Sequence, residues 1–255
     1  MTTGADNFML AGRVAIVTGC NTGLGQGMAL ALAQAGADIV GVNVSAPDDT
    51  REQIVALGRR FLDLRANLSD IGSIEGLIKQ ALTLTGRIHI LVNNAGIIRR
   101  EDAINFTEKD WDDVLDLNLK SVFFFAQAAA RQFIEQGSGG KIINVASMLS
   151  FQGGVRVPSY TASKSGVMGI TRALANEWAK HNINVNAIAP GYMATDNTAA
   201  LQADAARNAA ILDRIPAGRW GVPADLAGPV VFLASDAANY VNGNTLAVDG
   251  GWLAR

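Results

Sequence analysis

Short β-branched apolar runs alternate with longer amphipathic stretches along almost the whole chain, and this alternation restricts the fold more than any single motif. Parallel strands need a crossover between them, so strand-length apolar runs separated by helical stretches signal βαβ repetition around a parallel sheet. Residues 14–17 read as a first buried strand and 25–34 as the helix after it. Residues 38–44 and 61–65 give two more strands, the second followed by a helix near 69–85. Residues 88–92 and 141–145 are the fourth and fifth strands, separated by a long helix over 108–136. A helix over 160–180 precedes a strand at 183–188, and 245–248 is the last of seven. No linker, repeat or low-complexity tract divides the 255 residues, so one domain spanning 1–255 with a sizeable core is expected.

Bulk charge narrows the partners. The formal net charge is −2 and no basic block occurs, which argues against nucleic acid as a partner. The single cysteine, Cys20, excludes an intrachain disulfide framework and fits a reducing compartment. His89 and His181 lie far apart with no Cys or carboxylate pattern around them, so no metal site is expected. No signal peptide or membrane-length apolar run is read, and the expectation is a soluble cytoplasmic protein.

Two motifs bring chemistry. The first, Thr18-Gly19-Cys20-Asn21-Thr22-Gly23-Leu24-Gly25, follows the first strand and opens a helix. Glycines at such a turn let backbone amides and the helix dipole approach a pyrophosphate, although the turn alone also fits a tight loop. Cys20 inside it reads as a small spacer. The end of the second strand should meet the adenosine ribose. Asn43 stands there in place of a carboxylate, and no Arg or Lys lies between Asn43 and Asp49 or in the loop to pair with a 2′-phosphate. This balance favours NAD over NADP.

The second motif is Tyr160 and Lys164, four residues apart, with Ser147 thirteen residues upstream. On a helix the pair shares one face, so the ammonium could lower the phenol pKa and the serine could hold the same substrate oxygen. Such a tyrosine could exchange a proton during carbonyl–alcohol interconversion. The spacing by itself also fits an incidental surface pair.

Taken together these residues resemble the short-chain dehydrogenase/reductase family from about Leu10 to the C-terminus. Residues 18–25 resemble its cofactor loop, Asn93-Asn94-Ala95-Gly96 the segment after its fourth strand, and Asn118 in Leu117-Asn118-Leu119-Lys120 its fourth catalytic position. Pro190-Gly191 with Thr195 resembles its nicotinamide segment. The resemblance implies an α/β fold: a single-domain, Rossmann-like, doubly wound parallel sheet of about seven strands flanked by helices. It implies Asn118, Ser147, Tyr160 and Lys164 as catalytic residues, with Asn118 connecting Lys164 to solvent through water, although Asn118 could also merely cap or bridge helix backbone. The implied cofactor contacts are Gly19, Asn21, Thr22, Gly23, Leu24, Gly25, Asn43, Asn67, Leu68, Asn94, Ala95, Gly96, Tyr160, Lys164, Pro190, Gly191, Met193 and Thr195. Paired helices across subunit interfaces imply a homotetramer. Trp252 fits a buried anchor there or a cap on the domain core.

A narrower similarity, to family members acting on deoxy sugar acids in uronate breakdown, rests on residues 18–28, 98–102, 146–154, 181–186 and 249–255. It implies an acidic sugar substrate. Arg100 or Arg156 could hold its carboxylate, or these arginines could pair with Glu101, Asp102 or a neighbouring subunit. Ser147, Met148, Gln152 and Tyr192 are further substrate candidates. The excursion over 192–216 reads as a substrate lid ahead of a plain pair of surface helices. The alternatives are an oxidoreductase of another polyol, an acyl-carrier thioester or a steroid-like ketone, and a nucleotide-sensing regulator without turnover. The intact tyrosine–lysine–serine–asparagine set argues against the last.

Overall fold

The computed structural model describes residues 4–255. Seven strands build one all-parallel sheet: β1 (Val14–Thr18), β2 (Asp38–Asn43), β3 (Phe61–Arg65), β4 (Ile90–Asn93), β5 (Gly140–Val145), β6 (Ile183–Pro190) and β7 (Thr245–Val248). Their spatial order is β3-β2-β1-β4-β5-β6-β7. Residues of β1, β4 and β6 are buried throughout, whereas the edge strands β3 and β7 are half covered. That is the burial pattern of a parallel sheet with helices on both faces.

Strand alternation assigns side chains to the two faces. Ala15, Val17, Ile39, Val92 and Ile188 pack with Met28 and Leu32 of α1 (Gly23–Gln34) and Val230 and Leu233. Val14, Ile16, Val40, Leu91 and Val185 pack on the other side with Leu77 and Ile78 of α3 (Ile74–Leu82) and with Phe125 and Phe133. The chain leaves β1 toward β2 on one side and reaches β4 on the other. A crevice therefore opens at the carboxyl ends of β1 and β4, the place where open α/β sheets take ligands.

Several expected elements change. The helix after β1 begins at Gly23, two residues earlier than read. α2 (Asp48–Ala56) was not anticipated: only Thr50 and Ile54 are buried on it, so its sequence has almost no apolar stripe. The long helix over 108–136 is interrupted. α4 (Glu108–Leu115) and α5 (Ser121–Gln136) are joined by a π-turn, Asp116–Lys120, which holds the fully buried Asn118. Such single π-turns inside helices concentrate at functional sites. α6 (Pro158–Trp178) starts with proline at its first position, where the missing N–H costs nothing. The 192–216 excursion contains α7 (Ala199–Ala203) and α8 (Ala205–Arg214). The half-buried α9 (Ala227–Ala234), obscured in the sequence by Gly228 and Pro229, follows them.

Candidate active site

The turn after β1 is built around two glycines at which a side chain would be strained or would clash. Gly19 sits at φ 63°, and a Cβ there would lie 3.1 Å from Ala95 Cα. A Cβ on Gly25 would collide with the Gly19 carbonyl oxygen and the Asn94 amide. Asn94 holds the loop from β4, its Nδ2 donating to Thr18 O at 2.9 Å and Gly19 O at 3.0 Å. Thr18 Oγ1 in return accepts the backbone N–H groups of Asn94 and Ala95, both at 2.9 Å. Close backbone, no side chains in the way and the start of α1 form a cradle suited to a pyrophosphate.

Asn43 plays a different part from the one expected. It is 2% exposed, its Oδ1 accepts the Cys20 N–H at 2.8 Å, and its Nδ2 faces Cys20 Sγ at 3.6 Å. A buried amide must satisfy its polar groups, so Asn43 fixes the cofactor loop rather than reaching for a ribose hydroxyl. The polar groups next to it are Asn21 and Ser45, joined by a 3.0 Å hydrogen bond. Burial pushes the Cys20 thiol up to about 11, which leaves it inert.

At the other end of the crevice, the carboxyl end of β5 and the first turns of α6 bring Ser147, Tyr160 and Lys164 together. Ser147 Oγ accepts the Leu149 N–H at 3.1 Å, and Ser150 Oγ donates to Lys164 O at 2.7 Å, tying the two segments. Lys164 Nζ donates to Val145 O at 2.7 Å and lies 5.7 Å from the Tyr160 ring centroid. The expectation that this lysine lowers the phenol pKa does not hold: the Tyr160 pKa is raised. Burial raises the Tyr160 pKa, opposed by hydrogen bonding with Ser147 and by the Arg100 charge. The same burial lowers Lys164 to about 8. Lys164 is buried and Tyr160 half-buried at the cavity wall, and at each of them desolvation is the largest contribution. Asn118 lies behind this wall. Its Oδ1 accepts the Ile97 N–H at 2.8 Å, and its Nδ2 donates to Ile97 O at 2.8 Å and Ser163 Oγ at 3.4 Å.

One cavity of ≈ 1070 Å³ joins the two ends. Apart from Asn118, every residue expected at the cofactor or substrate lines it: Gly19, Asn21–Gly25, Asn43, Asn67, Leu68, Asn94–Gly96, Arg100, Ser147, Met148, Gln152, Arg156, Tyr160, Lys164, Pro190–Met193 and Thr195. Two arginines near it are engaged elsewhere. Arg156 pairs with Asp102 at 3.0 Å and Glu101 at 3.6 Å, and Arg99 with Asp110 and Asp113, both at 3.4 Å. Arg156 thus has the acidic partners that the sequence left open as an alternative. The reading from sequence missed Arg207, Ile211 and Arg214 of α8 and placed Trp252 outside the site, although all four line the cavity. Their i, i+4, i+7 spacing was the available signal. Among the described residues no cluster of His, Cys, Asp or Glu could hold a metal, and no helix is long and apolar enough to cross a membrane.

A family model described as enoyl-(acyl carrier protein) reductase matches residues 19–253. The 2-dehydro-3-deoxy-D-gluconate 5-dehydrogenase of Escherichia coli is 72% identical, over 97% of this chain and 98% of its own. The enzyme of the same name from Dickeya dadantii is 70% identical, over 98% and 99%. Among solved structures, a candidate 2-deoxy-D-gluconate 3-dehydrogenase from Agrobacterium tumefaciens with bound NADP superposes with a TM-score of 0.93. It is 57% identical, over 98% of this chain and 99% of its own.

Proposed function

Since this chain belongs to the short-chain dehydrogenase/reductase family, we propose that it interconverts a keto and a hydroxy group on a deoxy sugar acid of the 2-dehydro-3-deoxy-D-gluconate type, at C5, in uronate breakdown. The observation that supports this best is the junction, in one cavity, of a glycine cradle with the half-buried Tyr160 and the buried Ser147 and Lys164. The cradle fits a nicotinamide dinucleotide, held by residues 19–25, Asn94–Gly96 and the 190–195 segment. When bound, that cofactor supplies or takes the hydride.

The chain's own residues manage the oxygen. With its pKa raised, Tyr160 is a phenol at neutral pH, so the resting site is set to give a proton to a carbonyl oxygen. The phenolate left behind faces Arg100 and Lys164, and in the reverse direction these charges favour its formation. Ser147, held by the Met148–Ser150 turn, is placed to orient the carbonyl. Asn118 acts through position, bracing the Ile97 backbone beside the cavity. Tyr160→Phe should lower kcat by about 10²–10⁴, the range for losing a general acid. NADH oxidation with 3-deoxy-2,5-hexodiulosonate measures it, and unchanged turnover would refute the role.

Three finer points belong to the same proposal. NAD is the preferred cofactor, supported by the absence of any lysine or arginine among the cavity residues beside Val44 and Ser45. Arg65, whose guanidinium reaches the Val44 carbonyl at 3.5 Å from outside the cavity lining, is paired with Asp63 at 2.7 Å. The excursion over 192–216 is a lid, supported by its position along the cavity. A homotetramer is supported by the half-buried Phe123 and Phe124 on α5 and the exposed Trp111 on α4.

A further inference from the structure

The proposed substrate poses a geometric demand that the residues around Tyr160 do not meet. Reaction at C5 and a carboxylate at C1 lie at opposite ends of the sugar acid, so the acid group must find its cation away from the phenol. Arg100 acts on Tyr160 itself, and Arg156 and Arg99 already have carboxylate partners.

The far wall of the cavity is formed by α8, which presents Arg207, Ala210, Ile211 and Arg214 to it, the i, i+3, i+4, i+7 positions of one helical face. Ile211 and Ile215 are buried against Met148 and Trp252, which seats this helix over the cavity. The Arg214 guanidinium carbon lies 4.0 Å from the centroid of the Trp252 ring. Among the described residues no acidic side chain pairs with Arg214 or Arg207. Stacking fixes the plane of a guanidinium and leaves its edge N–H groups directed outward, the arrangement that suits bidentate binding of a carboxylate.

An independent observation points to the same ligand. Trp252 is 4% exposed, lines the cavity, and its Nε1–H is buried with no acceptor among the described residues. Buried indole N–H groups normally have one, because leaving a donor unpaired is costly. The ring does not sit there by default. Asp249 holds its turn with both carboxylate oxygens, accepting the Gly251 and Leu253 N–H groups at 2.9 Å each. Tyr192 packs edge-on against the same ring, with centroids 4.9 Å apart.

We propose that Arg214, stacked on Trp252, and the Trp252 indole N–H together form the carboxylate-binding end of the cavity and make the enzyme selective for acidic over neutral sugars. Arg207, two turns earlier on the same face, draws the anion in. The inference rests on the sugar-acid reading above and assigns that substrate's acid group to residues outside the tyrosine–serine–lysine centre.

The test compares the sugar acid with its methyl ester in full-length wild type, Arg214→Met, Arg214→Lys and Trp252→Phe, with thermal melting and NADH binding confirming the fold. The acid-over-ester ratio of kcat/KM should fall at least tenfold in Arg214→Met, through KM for the acid, and several-fold in Trp252→Phe. Arg214→Lys should recover part of it. Ratios within twofold of wild type in both Arg214→Met and Trp252→Phe would overturn the inference. A second readout does not need turnover. The Trp252 indole N–H resonance, assigned by its loss in Trp252→Phe, should move on titration with D-gluconate and not with D-glucitol. A wild-type enzyme that turns over no sugar acid refutes the substrate reading, and the indole titration then still decides the anion site. A resonance indifferent to gluconate overturns it.

Discussion

Acid sensitivity of the fold should trace to His89, at the edge of the sheet opposite the active site. The His89 N–H donates to Val14 O at 3.0 Å, and the Val14 N–H donates back to His89 Nδ1 at 3.0 Å. An imidazole nitrogen can accept a backbone N–H only through its free lone pair, so the His89 ring proton is forced onto Nε2. Protonation at Nδ1 would set two N–H groups against each other. Burial and the charges of Arg13 and Arg87 lower the folded pKa from 6.5 to about 4. The unfolded chain therefore takes up a proton first as pH falls, and stability is lost between pH 6.5 and 4 and constant on either side. The full difference corresponds to about 3 kcal/mol, and partial exposure reduces it to about 2 kcal/mol. His89→Asn keeps an acceptor near the Nδ1 position and removes the titration. Between pH 7.5 and 4, wild-type Tm should fall about 4–8 °C further than that of the variant. Carboxylates titrating in the same range affect both proteins equally and cancel. Parallel Tm–pH curves for the two would refute the assignment.

Other perturbations separate the remaining parts. Steady-state kcat/KM should be higher with NADH than with NADPH, and Ser45→Arg should shift the ratio toward NADPH; the opposite order in wild type would refute the NAD preference. Gly25→Ala should weaken NADH binding at least tenfold by fluorescence titration and cost about 1–3 kcal/mol of stability, since its Cβ meets the Gly19 carbonyl. An unaffected titration would remove the case for the cradle. With its thiol near 11 and no exposed surface, Cys20 should resist Ellman's reagent at pH 8 in the native protein and react once denatured. Rapid reaction of the native protein would show that the loop opens.

Patterns local in sequence foretold much of this protein. Strand and helix periods, the glycine spacing after β1 and the Tyr160–Lys164 interval all act over a few residues, and the parallel sheet with its crevice follows from their order. α2, which buries only Thr50 and Ile54, and α9, whose first turn holds glycine and proline, were invisible because neither sequence carries the apolar period that marks a helix. The π-turn at Asn118 was hidden for a related reason: it depends on hydrogen bonds to Ile97, distant in sequence and supplied by the loop after β4.

Side-chain allegiance was decided only by the folded chain. Asn43 stands where a ribose contact was expected, yet its amide is tied to Cys20. Arg156 looked as available as Arg100 until Glu101 and Asp102 were brought beside it. Arg214 and Trp252, far apart in the chain, meet only because α8 and the C-terminal turn close on the same cavity. Even the sign of the Tyr160 shift depended on this. Spacing places a lysine one turn from the phenol, but how much water the surrounding walls exclude determines whether its charge or its burial prevails. Residue order thus determines which groups share a face. Desolvation and competition among partners, which exist only in three dimensions, determine what each group is free to do.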